Sequence, residues 1–271
     1  MHIAIVACGW LGTPLAKALQ TSGHKVVATC RSEDKQHMLR QQGIDVRLFS
    51  LGEAPDQSAL KQICAAELLI LNIPPGGRHI QPQWFRQHMT QLIDYAKQQG
   101  VRQCIFISTT AVYGEQEGEV TEHSSLQPLT ESGRAHVALE QVVRERFAAQ
   151  ACILRLAGLV GEQRHPARHL AGKTALQGAE QAVNLIHQQD VIAAIQAIID
   201  RQAFGQTFHL ASHQHPSRMD YYQWACRQMQ LPEPQFVPAE AQPSSKQINA
   251  QWTCQQLALQ LRYPSPYDML T

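Results

Sequence analysis

Residues 3–19, IAIVACGWLGTPLAKAL, decide the fold. IAIVA suits a buried strand, Gly9 and Gly12 suit a turn, and LGTPLAKAL has helical spacing, with Pro14 in the first turn where a missing N–H costs little. A dinucleotide needs this arrangement: glycine lets the backbone approach a pyrophosphate, and the helix N-terminus supplies free amides and positive potential. Ala7 replaces the first glycine of G-x-G-x-x-G, so the match is imperfect, and a plain structural turn would need only one of the two glycines. The place of the motif, directly after a strand at the head of repeated β-α units, favours cofactor binding through Gly9, Trp10, Leu11 and Gly12.

Working outward, short apolar runs alternate with helical patterns: KVVATC (25–30), a polar helix, VRLFS (46–50), LLILNI (68–73) and CIFIS (104–108). Between the last two, Trp84, Phe85, Met89, Leu92, Ile93 and Ala96 recur at helical spacing, which predicts a helix over 82–99. A further strand is expected near 152–156, a helix in DVIAAIQAII, a strand in QTFHLAS, the amphipathic RMDYYQWACRQMQL, and then the Pro-rich PEPQFVPAEAQP. Such alternation predicts an α/β fold, a Rossmann-type doubly wound parallel sheet with a small C-terminal substrate lobe. The nucleotide domain is expected over 1–156, completed by about 186–211, and the lobe over 157–185 and 212–271.

The 271 residues can bury a sizeable core. A net charge of +1, with 17% charged residues and no basic block, gives no reason to expect nucleic acid or an anionic membrane as partner. No apolar run approaches the roughly 20 residues of a membrane helix, so a soluble cytoplasmic protein with a small-molecule substrate is expected. Oligomeric state is not fixed by these features. Seven scattered cysteines with no C-x-x-C pair argue against a disulfide frame or zinc ribbon.

The end of the second strand should select the nucleotide. A carboxylate about 20 residues beyond the glycines would hold a ribose 2′-hydroxyl, whereas an arginine accommodates a 2′-phosphate. The chain reads ATCRSED over 28–34, so Arg31 with Ser32 points to NADP, although Glu33 or Asp34 could still swing in and admit NAD. At the ends of later strands, LNIPPGG (71–77), with Asn72 and Pro74, and ISTTAVYG (107–114) would face the nicotinamide.

Asn72 to Gly77, STTAVYG, RLAGLVG and VNLIHQQDVIAAI follow the order of the extended short-chain dehydrogenase/reductases, which contain the NAD-dependent epimerases and dehydratases of sugar nucleotides. Nearly the whole chain resembles that group. GWLGTPLA, TESGR, ILRLAGLVG and RHPARHLAGKT are most similar to its YeeZ branch of atypical members. The resemblance implies hydride transfer run by a Ser or Thr, a Tyr, and a Lys four residues after that Tyr: the Tyr serves as acid/base, the Lys lowers its pKa and holds the ribose, and the Ser or Thr orients the carbonyl.

Here Thr109 matches the Ser or Thr, but Ser132 takes the Tyr place and His136 the Lys place. An unassisted Ser hydroxyl is too weak an acid to replace a tuned phenol. Two rescues are open: Tyr113, which matches the family's substrate-side Tyr, or His136, which titrates near neutrality. Ser132 and His136 lie one helical turn apart and could hydrogen-bond, or could be a cap and a ribose contact.

An anionic group on the substrate could be held by Arg134 or by the cluster Arg164, His165, Arg168, His169 and Lys173, though a solvated basic loop would look the same. His165 and His169 have helical metal spacing, but Pro166 lies between them and no third ligand follows at a fixed spacing, so no metal site is expected. His187 and Asp190 are read as structural. Two functions follow: an NADP-dependent oxidoreductase or epimerase acting on a small anionic or sugar-nucleotide substrate, or a catalytically silent NADP-binding sensor.

Overall fold

The structure is a computed structural model and describes residues 1–53, 57–74, 81–237 and 245–270. The PGG part of LNIPPGG, residues 75–77, and the second half of the Pro-rich segment, residues 238–243, lie outside the described residues. In chain order the strands are β1 (His2–Val6), β2 (Lys25–Cys30), β3 (Asp45–Leu48), β4 (Leu68–Leu71), β5 (Gln103–Thr109), β6 (Gly118–Val120), β7 (Ala151–Leu156), β8 (Gly158–Val160), β9 (Leu185–His187), β10 (Thr207–Leu210) and β11 (Lys246–Ile248). The helices are α1 (Gly12–Thr21), α2 (Glu33–Gln41), α3 (Gln57–Ile63), α4 (Pro82–Gln98), α5 (Glu131–Phe147), α6 (Ala167–Leu170), α7 (Gln188–Asp200), α8 (Arg218–Gln228) and α9 (Gln251–Leu257).

Seven strands form one sheet in the order β10-β7-β5-β4-β1-β2-β3. The β1/β2, β1/β4, β2/β3 and β4/β5 pairs are parallel. This is the Rossmann order, and the run of consecutive strands reverses direction between β1 and β4. A crevice opens outside the carboxyl ends of strands at such a switch point, so the turn after β1 and the residues after β4 are where a ligand is expected.

The chain divides into two compact units, one of residues 1–112, 128–154 and 198–207, the other of 113–127, 155–197 and 208–271. In the first, α4 buries Phe85, Met89, Leu92, Ile93 and Ala96, and α5 buries Ala135, Leu139, Val143 and Phe147, in one cluster with β1, β4 and β5 residues. Each such large side chain contributes about 1.5–3 kcal/mol on burial. In the second, Val160, Val183, Leu185, Tyr221, Tyr222, Tyr263 and Met269 share a core, β8 pairs with β9, and β6 pairs with β11. Among the described residues no helix is long and apolar enough to cross a membrane.

Candidate cofactor and active site

β1 ends at Val6, and Ala7 adopts a left-handed backbone, φ 73°, which side-chain-bearing residues rarely take. The conformation expected of a glycine is therefore kept by the alanine that replaces it. Ala7 gives its N–H to Thr29 Oγ1 at 2.8 Å, and its carbonyl accepts from Gly9 N at 2.9 Å and Asn72 Nδ2 at 3.2 Å. Asn72 thus ties the end of β4 to the turn after β1, across the switch point. A Cβ on Gly12 would stand 2.8 Å from the Ala7 carbonyl oxygen, so only glycine lets α1 close on the turn.

A Cβ on Gly9 would meet nothing within 4 Å, so this exposed backbone is open to close approach. No side chain caps α1, as none caps α4, α6 or α9, whereas Ser32 caps α2, Thr130 caps α5 and Ser217 caps α8. The first amides of α1, with the positive end of its dipole, fit a pyrophosphate. Leu11 is buried at the start of α1 and Trp10 is half-buried beside it.

At the end of β2, Arg31 is exposed, while Glu33 and Asp34 sit in the first turn of α2, where negative charge suits the helix dipole. Ser32 Oγ accepts from Lys35 N at 3.4 Å, so the hydroxyl named as a phosphate contact is also the α2 cap. Lys35 was not among the expected cofactor residues, yet its charge acts on both Cys8 and Cys30 and so reaches the corner between β1 and β2. Its signal was only its place one turn into α2. Pro74 is exposed after β4.

At the end of β5, Thr109 Oγ1 accepts from Ala111 N at 3.1 Å, which leaves the hydroxyl proton to donate. On α5, Ser132 is half-buried and His136 is buried. The two meet, but not through their side chains: His136 Nδ1 lies 2.8 Å from the Ser132 carbonyl oxygen. A carbonyl only accepts, so Nδ1 carries the proton. Burial pushes His136 below the ordinary histidine range, against the opposing pull of the Ser132 carbonyl and Glu140, and its ring stacks on Phe106 at 5.8 Å. His136 is therefore a buried, neutral imidazole on α5. No tyrosine of the chain has a lysine four residues later.

Arg134 is exposed and turned to its own helix, paired with Glu131 and donating to the Pro128 carbonyl at 3.2 Å. One turn beyond His136, buried Glu140 accepts from Ser108 Oγ at 2.7 Å and from Arg144 at 3.2 Å, and Arg144 also reaches Thr207. This group ties α5 to β5 and β10.

In the second unit, Tyr113 is 0% exposed. Its hydroxyl lies 3.0 Å from His209 Nδ1 and accepts from Arg155 at 2.9 Å, and the Arg155 guanidinium stands 5.0 Å from the ring centroid. His209 Nε2 lies 2.7 Å from the Asn249 carbonyl, so it holds the ring proton, and Nδ1 of the neutral ring accepts the Tyr113 proton. Burial lowers the His209 pKa, opposed by Glu122, whose Oε1 is 3.4 Å from Nε2 and accepts from Thr253. The other Glu122 oxygen is buried without a hydrogen-bond partner.

His165 is also interior: Nδ1 accepts from Ala167 N at 3.2 Å, so Nε2–H donates to the Tyr221 hydroxyl at 2.8 Å, which donates to the Pro266 carbonyl at 3.0 Å. The structure separates it from Arg164 and Lys173, which are exposed. Asp190 accepts from the backbone of Arg262 and Tyr263, at 2.7 and 3.2 Å, and anchors the C-terminal segment. Among the described residues no group of three or more His, Cys, Asp or Glu is placed to hold a metal. A cavity of about 660 Å³ lies at the amino ends of β4 and β5, away from the turn, and its glutamines bind one another, Gln103 donating to Gln150 and Gln202.

Known proteins share this architecture. Protein YeeZ of Escherichia coli K12 is 34% identical over 269 residues, covering 98% of each chain. Among solved structures, UDP-glucuronic acid 4-epimerase from Bacillus cereus in complex with NAD superposes with a TM-score of 0.80 at 18% identity, covering 100% of this chain and 96% of that one. MoeE5 in complex with UDP-glucose and NAD superposes with a TM-score of 0.82 at 17% identity, covering 100% and 97%. The sequence model of the NAD dependent epimerase/dehydratase family matches residues 7–211, from the left-handed alanine to the end of the last sheet strand, and this chain belongs to that family.

Proposed function

We propose that the chain binds NADP at the Ala7–Gly12 turn and acts on a small anionic or sugar-nucleotide substrate, by oxidoreductase or epimerase-like chemistry that does not use the family's Tyr-Lys proton transfer. The observation that carries the reading is the turn itself: a left-handed Ala7, a Gly12 that admits no Cβ, an open Gly9 and an uncapped α1. When bound, a nicotinamide supplies hydride transfer. This chain's part is to hold the pyrophosphate with the α1 amides and to offer the Thr109 hydroxyl proton to a carbonyl. Arg31 would receive a 2′-phosphate, Asn72 and Pro74 would border the nicotinamide half, and the exposed Arg164 and Lys173 would attract an anionic substrate.

A second reading, a catalytically silent NADP sensor, is favoured by one observation. Both alternative proton donors face inward: Tyr113 is wholly buried with its proton on His209, and His136 is neutral with its proton on a carbonyl.

Titration with NADPH and NADH, followed by nicotinamide fluorescence, tests the shared core of both readings. NADPH should bind at least about tenfold more tightly, a difference near 1.4 kcal/mol, and Arg31→Glu should reverse the preference. Binding of neither would sink both readings. Nicotinamide absorbance with UDP-glucose and UDP-glucuronic acid then separates enzyme from sensor.

A further inference from the structure

The register of β1 on β2 pairs Ile5 with Ala28, and continued regularly it would set Ala7 opposite Cys30 with the Ala7 N–H on the Thr29 carbonyl. Left-handed Ala7 breaks that pattern. Its N–H goes to Thr29 Oγ1, and the Cys8 N–H takes the Thr29 carbonyl at 2.7 Å. One residue is inserted, as in a β-bulge, and Cys8 rather than Ala7 stands opposite Cys30. Facing residues on adjacent strands lie about 5 Å apart, within the roughly 4.4–6.8 Å between Cα atoms that a disulfide spans.

Both thiols are buried but not sealed in the core. Cys8 is 2% and Cys30 6% exposed, Cys8 Sγ lies 3.7 Å from Thr13 Oγ1 in the first turn of α1, and Cys30 Sγ donates to the Ser32 carbonyl at 3.5 Å. Burial raises the Cys8 pKa, and the Cys30 charge is near enough to raise it further. Cys104 and Cys152 make a natural control: the Cys152 charge acts on Cys104, but both are 0% exposed, with Cys104 inside the main apolar cluster.

We propose that Cys8 and Cys30 form an oxidisable dithiol site whose disulfide excludes the dinucleotide from the turn, an inference that rests on the cofactor reading above. The oxidant is a low-molecular-weight disulfide such as oxidised glutathione. The Cys30 thiolate attacks one glutathione sulfur, forming a mixed disulfide and releasing one glutathione thiolate, which takes up the proton. Cys8, deprotonated, then attacks Cys30 Sγ, forming the internal disulfide and releasing the second glutathione. Two electrons pass from the protein to glutathione disulfide.

Closure takes Cys8 Sγ from Thr13 and ties the residue between Ala7 and Gly9 to the one before Arg31. The backbone that must lie against a pyrophosphate is thereby held to the 2′-phosphate corner. By linkage, bound NADPH opposes the disulfide by the same factor by which the disulfide opposes NADPH.

The test is to incubate the protein with oxidised glutathione, alkylate the remaining thiols, map them by mass spectrometry and titrate with NADPH. A link between the Cys8 and Cys30 peptides is expected, reversible by dithiothreitol and slowed by prior NADPH, with NADPH binding weakened at least about tenfold, or 1.4 kcal/mol. Cys30→Ser should bind NADPH equally before and after the oxidant. Full alkylation of Cys8 and Cys30 after the oxidant, or a link that leaves the titration unchanged, would overturn the proposal. If the reduced protein binds neither NADPH nor NADH, the cofactor reading has failed, and the exclusion with it, while the thiol map still decides whether the pair closes.

Discussion

The turn from Ala7 to Gly12 and the surroundings of Tyr113 are both rich in polar groups, but they point them in opposite directions. At the turn, α1 starts without a side-chain cap and Gly9 stands exposed with its N–H on the Ala7 carbonyl, so the proposed cofactor contacts are the first amides of α1. Around Tyr113 the capacity is turned inward, through Arg155, His209, Asn249, Thr253 and Glu122. His165 and Asp190, in the same unit, likewise bind their own chain. Open groups at a helix start are a binding surface, whereas closed networks of buried groups fix a conformation and make it dependent on protonation.

Acid should break the closed region first and with the largest effect. Burial, with nearby Arg168 and Arg262 respectively, lowers the pKa of His165 and of His187 to about 4. In each, Nδ1 accepts a backbone N–H, from Ala167 and from Gln189, so a proton there would set two donors against one another. A histidine whose folded pKa lies below its unfolded value of about 6.5 stabilises the fold above that value and loses the contribution as pH falls toward the folded pKa. Between pH 6.5 and about 4 each should cost about 3 kcal/mol. Denaturant unfolding across that window, read by Trp224, which stacks on Tyr221, and Trp252, which stacks on Phe208, should show a steep loss of stability. A flat profile would mean that these rings are not held neutral.

Tyr113→Phe sharpens the contrast at the next scale. Removing the hydroxyl leaves Arg155 and His209 short of a buried partner, which should lower stability by about 1–3 kcal/mol. NADPH affinity should not change. Loss of turnover with unaltered stability would instead make Tyr113 an acid/base, and the inward network would no longer explain its burial.

The fold was legible because buried parallel strands are short apolar runs: KVVATC became β2 residue for residue, and the periodic apolar set over 82–99 became α4. Trp84 is the exception in that set, 41% exposed although it keeps the helical spacing. β6 and β11 were not legible, since three residues carry no periodicity and their partners are more than a hundred positions apart. The glycine turn between β1 and α1 could be read directly. Arg155 and His209 gave a signal, as each is a polar residue with an apolar residue on either side in a buried strand, and such residues are seldom buried without a partner. Glu122 gave none, because a carboxylate in a polar loop looks like any solvated one.

The smallest effect bears on the open region and on the residue that made its motif imperfect. Ala7 holds φ 73°, a conformation that costs a residue with a Cβ roughly 1–2 kcal/mol. Ala7→Gly removes that cost, but glycine also loses more freedom on folding, by about 0.4–1 kcal/mol, so the net gain should be about 0.5 kcal/mol, or 1–2 °C in Tm. The hydrogen bonds from Ala7 N and to Ala7 O are backbone bonds that glycine keeps, so NADPH affinity should hold within about twofold. A destabilised Ala7→Gly would mean that the Ala7 methyl packs well enough to outweigh the strain. A stabilised one would show that the turn tolerates a strained alanine because Thr29, Gly9 and Asn72 hold its backbone from three sides.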